Sequence, residues 1–312
     1  MYENYQQFWG RYFSVKSPIP ITKTNPTISD SDNAFVYKSI FKNLPYYAIY
    51  FKNRDSYYIL SEQNDFSDGK DTIYITGYSH LVCNHFYSFN NSYNRFIYCE
   101  NVNSTVTEGS ITSYDNSDDG SLYQYNGQIN IKAVNFSKCQ SNIGSAINCK
   151  NIQNEENVSC CHIDSCQALD HATIYYNSLS AKLIKSNIIN NTQTNNIYGI
   201  IYLWGASFYI LDIEDCIFQN NCHNGNGVYV CSGYEAYIYV FRPNYDSDAT
   251  FIYGRGAIFM SEMDTSHFEN DFFICLTPQI LIKYYKQKTK AVFDPFSYVH
   301  LFYLVMFSKN KK

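Results

Sequence analysis

The sequence predicts an all-β chain wound as a parallel β-helix solenoid of about eight to ten rungs between irregular terminal caps. Three observations carry this. An apolar triplet recurs along the chain: with Phe136 as origin, Ile131 lies five places before it and Ile147 eleven places after. The origins Phe86, Ile111, Phe136, Ile163, Ile188, Phe218, Phe241 and Phe268 are separated by 25, 25, 27, 25, 30, 23 and 27 residues, a period that signals stacked repeats. Each unit holds three short apolar segments separated by Gly, Asn, Asp or Ser, which is the economy of three short strands per rung.

Composition agrees. With 45% hydrophobic residues there is material for a long core, and 32 Tyr and 22 Phe beside frequent Asn suit strands and tight turns better than helices. Helix-pair repeats need longer periods and leucine-rich repeats need their own signature; neither pattern is present. The net charge of -5 and the lack of basic, aromatic-interleaved patches inside the repeats argue against a nucleic-acid footprint.

Residues 1–45 lie outside the repeat and hold four of the seven prolines, so they read as an entry segment and cap over the open end of the first coil. The start M-Y-E-N-Y-Q-Q-F-W-G shows neither the basic start nor the apolar core of a secretory signal, which leaves a cytoplasmic location open. Residues 46–275 are assigned to the β-helix, with Tyr46–Ile75 read as two imperfect coils. The expected inward columns are Leu81, Val106, Ile131, Val158, Leu183 and Ile213, and Phe86, Ile111, Phe136, Ile163, Ile188 and Phe218, with Ala236 and Phe241 continuing them. Residues 276–312 form an apolar and basic end. Its run F-S-Y-V-H-L-F-Y-L-V-M-F is too short to span a bilayer, so a cap is expected ahead of a degenerate anchor, and membrane association is expected only through this segment.

Eleven cysteines could form a disulfide framework, but equal repeat offsets favour stacked apolar fillers that folding does not require as disulfides. Cys139 pairs with Cys166 in offset, Cys99 with Cys149 and Cys231, and Cys161 with Cys216. The same logic stacks Asn191, Asn221 and Asn244 into a ladder that satisfies turn amides. Cys160-Cys161-His162 with Cys166 lacks the second ligand pair a zinc site needs. Five N-x-[ST] sites occur, at Asn90, Asn103, Asn135, Asn157 and Asn190; beside the inward Phe136, Asn135 is expected to point outward.

The motifs F-x-x-N, as Phe218 to Asn221 and Phe241 to Asn244 with Ile188 to Asn191 as a variant, are followed elsewhere by Gly144-Ser-Ala-Ile147, His171-Ala-Thr-Ile174 and Gly256-Ala-Ile258. Over about residues 80–270 the chain resembles the repeats of chlamydial polymorphic membrane proteins and related protist surface-protein families. The resemblance implies a right-handed, pectin-lyase-like β-helix displayed at a cell surface or outside the cell, with a role in adhesion or antigenic variation and a protein or carbohydrate ligand.

Enzymes also use this architecture. Of the N-T-D, D-D, G-H-G and R-I-K motifs of polygalacturonase-like enzymes, only a bare D-D occurs, as Asp118-Asp119, without the other three, so no catalytic residue is assigned. The alternative of a carbohydrate-active enzyme rests on an acidic cluster expected on one outer face, where Asp212, Glu214 and Glu235 would hold calcium weakly. Glu262 and Asp264 extend the cluster and Lys182 could compensate it. No other cofactor is expected.

Overall fold

The computed structural model describes residues 3–260 apart from 19, 22–27, 30–32, 53–55, 70–71, 92–94, 116–117, 195–197, 205–208, 224–227, 233–235, 246–249 and 255–256. The C-terminal assignment, residues 276–312, lies outside these, as do Glu235, Glu262 and Asp264. All described residues belong to one unit, Met1–Phe273.

Every pairing between strands is parallel, and the strands stack in three long ladders. The first runs through Ile28–Ser29, Ile49–Lys52, Ile73–Thr76, the beginnings of the long strands Ile97–Thr112, Leu122–Ser137, Ile147–Ser159 and Ile174–Ile184, then Ile201–Leu203, Val228–Ser232 and Thr250–Gly254. The second contains Ala34–Tyr37, Tyr58–Glu62, His80–Asn84, the later parts of those long strands, Tyr209–Glu214, Ala236–Phe241 and Ala257–Met260. The third contains Ile40–Lys42, Asp65–Ser67, Tyr87–Phe89, the ends of the two longest strands, His162–Asp164, Asn187–Ile189, Ile217–Gln219 and Asn244–Tyr245. This is an all-β parallel solenoid of about seven full turns. The shorter coils around Ile28–Lys42 and after Val228 must be included to reach eight to ten.

Strand alternation sends one column of each ladder into a closed lumen. Ile49, Ile73, Ile97, Leu122, Ile147, Ile174 and Ile201 follow one another in the first ladder and are all buried. Val106, Ile131, Val158, Leu183 and Ile213 stack in the second, and Ile111, Phe136, Ile163, Ile188 and Phe218 in the third, as expected. The register fails at both ends of that run. Val106 lies opposite Cys83, two residues beyond Leu81, and Ile111 opposite Ser88, two beyond Phe86. Phe86 is still buried, because its ring occupies the space beside Gly109, where a Cβ would fall 2.2 Å from it. After Phe218 the slip is four residues: Ile213 pairs with Val240, not Ala236, and Phe218 with Tyr245, which leaves Phe241 exposed.

Among the described residues of the N-terminal 45 there is regular structure. Strands already enter all three ladders from Ile28, and Ile21 bridges to Val36 on the open edge. Helix Glu3–Gly10 packs sideways: Trp9 and Phe13 bury the outward side chains Phe35, Leu60 and Val82 of the second ladder. Tyr46–Ile75 is one coil plus the start of the next, since Ile49–Lys52 and Ile73–Thr76 are neighbours in the first ladder.

The cysteine and asparagine columns are partly as expected. Cys139, Cys166, Asn191 and Asn221 share one corner column. Asn191 Nδ2 donates to Ile163 O at 2.9 Å, Asn221 Nδ2 to Ile188 O at 2.7 Å, and Asn221 Oδ1 accepts the Asn191 amide at 3.0 Å. Asn244 falls outside the column, opposite Ile217. Gln124 separates Cys99 from Cys149, and Cys231 lies one position off, opposite Tyr202. Asn135 keeps its expected place on the outer side of the strand, between the inward Val134 and Phe136, but it is covered: only 5% exposed, it donates to Ser110 Oγ at 3.3 Å.

Two substitutions separate this register from the one read in sequence. Phe136→Ala removes a fully buried ring and is expected to cost about 3 to 5 kcal/mol, whereas Phe241→Ala, 41% exposed, should cost less than about 1 kcal/mol. Equal losses in denaturant unfolding would return Phe241 to the core column.

Candidate functional site

The outward neighbours of the first-ladder column are mostly tyrosines. Tyr50, Tyr74, Tyr98 and Tyr123 follow one another in register, with ring centroids 5.4, 4.6 and 5.1 Å apart and planes within 23° of parallel. Tyr47 extends the stack at 4.9 Å from Tyr50. The strip then becomes charged. The Arg95 guanidinium lies 4.9 Å from the Tyr98 ring centre and 4.7 Å from that of Tyr123, and it pairs with Asp119. Lys150 Nζ reaches Asp119 at 3.0 Å and lies 5.4 Å from the Tyr123 ring, while Asn148 Nδ2 donates to the same carboxylate at 3.0 Å. Beyond it a second aromatic group gathers: His171 stacks on Tyr198 at 4.3 Å, Tyr202 packs on Tyr175 and Tyr198, and the partly exposed Trp204 follows Tyr202 at 5.9 Å.

The stack has physical consequences. Ring faces are consumed by neighbouring rings, each contact worth about 0.5–1.5 kcal/mol, so the solvent meets phenol edges and hydroxyls. Burial, aided by the Asp119 carboxylate, pushes the Tyr123 phenol up to about 12, and burial with Glu100 raises Tyr98 as well. Both remain neutral hydrogen-bonding groups at physiological pH.

This strip was missed in sequence, although its signal was there. At offset +12 from the repeat origins stand Tyr98, Tyr123, Asn148 and Tyr175, one place after the inward isoleucines and leucine. A search tuned to lumen-facing residues passes over the alternating outward set.

The expected acidic face is arranged differently. Asp212 and Glu214 do lie on the outer side of Tyr209–Glu214, and Asp212 is in register with Lys182 as expected, but after the four-residue slip its partner on the next turn is Tyr239. Glu235 itself is outside the described residues. Arg242 meets Glu214 at 2.9 Å and Asp215 at 2.6 Å, and Lys182 meets Glu155 at 2.9 Å. Burial raises the Asp212 carboxyl, and Lys182 opposes that rise. Among the described residues no three His, Cys, Asp or Glu side chains converge to hold a metal; Cys161 faces the lumen while Cys160 sits at the corner before it.

Two other titratable groupings stand out. His85 bridges Glu62 at 2.8 Å and Glu108 at 2.5 Å, and Asn84 links Glu62 at 2.9 Å to the Tyr12 hydroxyl at 3.1 Å. Burial works against the imidazolium, but hydrogen bonds to Glu108 and Glu62 outweigh it and raise His85 to about 9. This network ties the segment after the N-terminal helix to the second ladder. Glu156 is the opposite case. It faces the lumen with no exposure, neither carboxylate oxygen has a hydrogen bond of ordinary geometry, and the Cys149 thiol and Ser178 hydroxyl beside it offset its burial only in part. Burial pushes its carboxyl up to about 8. A recess of about 250 Å³ lies at a corner lined by Tyr78, Ser79, His80, Asn101, Asn103 and Gly127.

No family model, curated protein or solved structure matches the chain. The motifs themselves are unevenly placed. Phe218 to Asn221 and Ile188 to Asn191 occupy equivalent corners, whereas Phe241 is exposed, and Ile258 joins the second ladder while Ile147 and Ile174 stand in the first.

Glu156 yields a signed prediction. Its folded value lies above the ordinary carboxyl value, so the unfolded chain loses the proton first as pH rises. Stability should therefore fall between about pH 4.5 and pH 8, by roughly 3 to 5 kcal/mol. Glu156→Gln should match the wild type near pH 5 and exceed it at pH 8. Parallel melting-temperature profiles for the two proteins would mean that Glu156 is ionised when folded.

Proposed function

We propose that this chain is a non-catalytic repeat protein for surface display or adhesion, a right-handed solenoid like the surface-protein repeats it resembles, which engages a protein or carbohydrate through its first-ladder face. The observation that carries this reading is the strip of Tyr50, Tyr74, Tyr98 and Tyr123 continued by Arg95 and, farther on, Trp204. Tyr, Trp and Arg dominate the energetics of binding surfaces, because they present large, stiff amphipathic groups. Here a regular scaffold holds them in place, so little side-chain entropy remains to be lost on binding.

A second reading, a carbohydrate-active enzyme, draws on the Arg95, Asp119 and Lys150 cluster in the middle of that strip. Acidic and basic groups meet there on one outer face, as polysaccharide cleavage requires. The carboxylate is engaged by both cations, and the cations by the Tyr123 ring, which suits a structural junction better than a free acid or base. A weak calcium site at Asp212, Glu214 and Glu235 belongs to this second reading, and calcium there must displace Arg242 from Glu214.

The two are separated by presenting the purified chain to a panel of polysaccharides and cell-surface proteins while monitoring new reducing ends or unsaturated uronides. The display reading expects binding without product. It also expects at least tenfold weaker binding by a Tyr98→Ala/Tyr123→Ala double variant, with a Tyr98→Phe/Tyr123→Phe variant dividing stacking from hydroxyl contributions. Product formation abolished by Asp119→Asn would establish the enzyme instead. Protease treatment of intact cells expressing the tagged chain should remove it; full protection would end the surface assignment.

A further inference from the structure

The corner that follows the third ladder stacks Tyr114, Cys139, Cys166, Asn191 and Asn221 over successive turns. Cys139 and Cys166 are immediate neighbours in it. Gln140 pairs with Gln167 and Ser141 with Ala168, and the Gln167 amide donates to Cys139 O at 2.8 Å. Each cysteine follows a residue with φ of 55°, Lys138 or Ser165, so one backbone conformation aims both thiols into the lumen, where both are fully buried. Other stacked cysteines are kept apart by a spacer. Gln124 stands between Cys99 and Cys149, Ser186 between Cys161 and Cys216, and Cys83 faces Ser61 and Val106.

We infer that Cys139 and Cys166 form a dithiol placed to close as a cross-turn disulfide, a modification site that staples one complete coil. Neighbouring strands lie about 4.8 Å apart, inside the roughly 4.4–6.8 Å of Cα separation that a disulfide accepts. The link encloses the chain between residues 139 and 166, so it constrains the unfolded ensemble without reshaping the folded coil. The fold forms with Cys139 and Cys166 both present as thiols, and the staple adds to it. Burial holds the Cys166 thiol well above its ordinary acidity range, so exchange proceeds while this corner is open, during folding or local opening. In closure the two S–H bonds break and one S–S bond forms. The two protons and two electrons pass to an external disulfide such as glutathione disulfide, which departs as two thiols.

The reduced, denatured full chain is refolded in a glutathione redox buffer, alkylated, digested without reduction and mapped by mass spectrometry. The expected result is a Cys139–Cys166 peptide pair in most molecules, with Cys99, Cys149, Cys161 and Cys216 alkylated. The melting temperature should stand several degrees above that of the reduced protein. Cys139→Ser and Cys166→Ser should each lose the link and the rise while melting like the reduced wild type. The same link should form slowly when already folded protein is held in glutathione disulfide, a check that does not depend on refolding. Full alkylation of both thiols in natively folded protein, or their linkage to other cysteines, overturns the inference.

Discussion

The solenoid depends on one backbone device, a left-handed residue that recurs at each of two corners from turn to turn among the described residues. Before the third ladder these are Lys38, Gln63, His85, Glu108, Ala133, Cys160, Lys185, Asp215 and Arg242; after it they are Asn43, Asp68, Asn90, Ser113, Lys138, Ser165, Asn190 and Asn220. The conformation costs about 1–2 kcal/mol for a residue with a side chain. It is held because the corner amide donates to a carbonyl of the next turn, as in Gln63 to Asn84 O at 3.1 Å and Asn190 to Gln219 O at 2.9 Å. One residue thus bends the chain without breaking the ladder. The residue that follows is turned inward, which is why small or hydrogen-bonding side chains such as Ser186, Cys161, Asn64 and Asn191 collect there.

A closed lumen makes polar residues conspicuous, since each must find its partners among neighbouring turns. Gln124 succeeds: Nε2 donates to Val102 O at 2.7 Å and Oε1 accepts from Ser104 at 2.9 Å. The asparagine pair succeeds in the same way. Glu156 does not, and it lies beside the place where the pairing of Ile147–Ser159 with Ile174–Ile184 shifts register. An uncharged acid at an interrupted ladder makes this turn the pH-sensitive part of an otherwise apolar stack. The His85 network slopes the same way with pH, though here the charged form is the one that is held. Its contribution is complete below the ordinary imidazole range and fades as pH rises through about 9.

The outer face inherits its order from the inner one. Strand alternation places a tyrosine beside most of the lumen-facing aliphatic residues of the first ladder, and stacking of turns brings the rings to contact distance without any separate device. The same regularity that buries Ile73, Ile97 and Leu122 aligns Tyr74, Tyr98 and Tyr123. The helical segment at the start uses the outer surface too, covering Phe35, Leu60 and Val82, which explains why the second ladder begins with apolar residues on both faces.

By itself the sequence determined the parallel stacking, the three strands per turn and the inward columns from Val106 to Ile213 and Ile111 to Phe218. An apolar period of constant length has few other ways to be buried. The asparagine ladder at Asn191 and Asn221 and the stacked Cys139 and Cys166 were legible for the same reason. The tertiary structure decided what depends on loop length. It set the two-residue slip that puts Cys83 opposite Val106 with Gly109 making room for Phe86, and the four-residue slip that exposes Phe241 and turns the expected acidic face toward Arg242 and Lys182. Spacing alone cannot assign an inserted residue to a corner or to a strand, because strand hydrogen bonding accepts either register until side chains on adjacent turns compete for the same space. The ring contacts of the tyrosine strip, whose spacing alone was legible, the covering of Asn135 and the unmatched Glu156 likewise emerged from neighbours that are about 25 residues distant in sequence and one turn away in space.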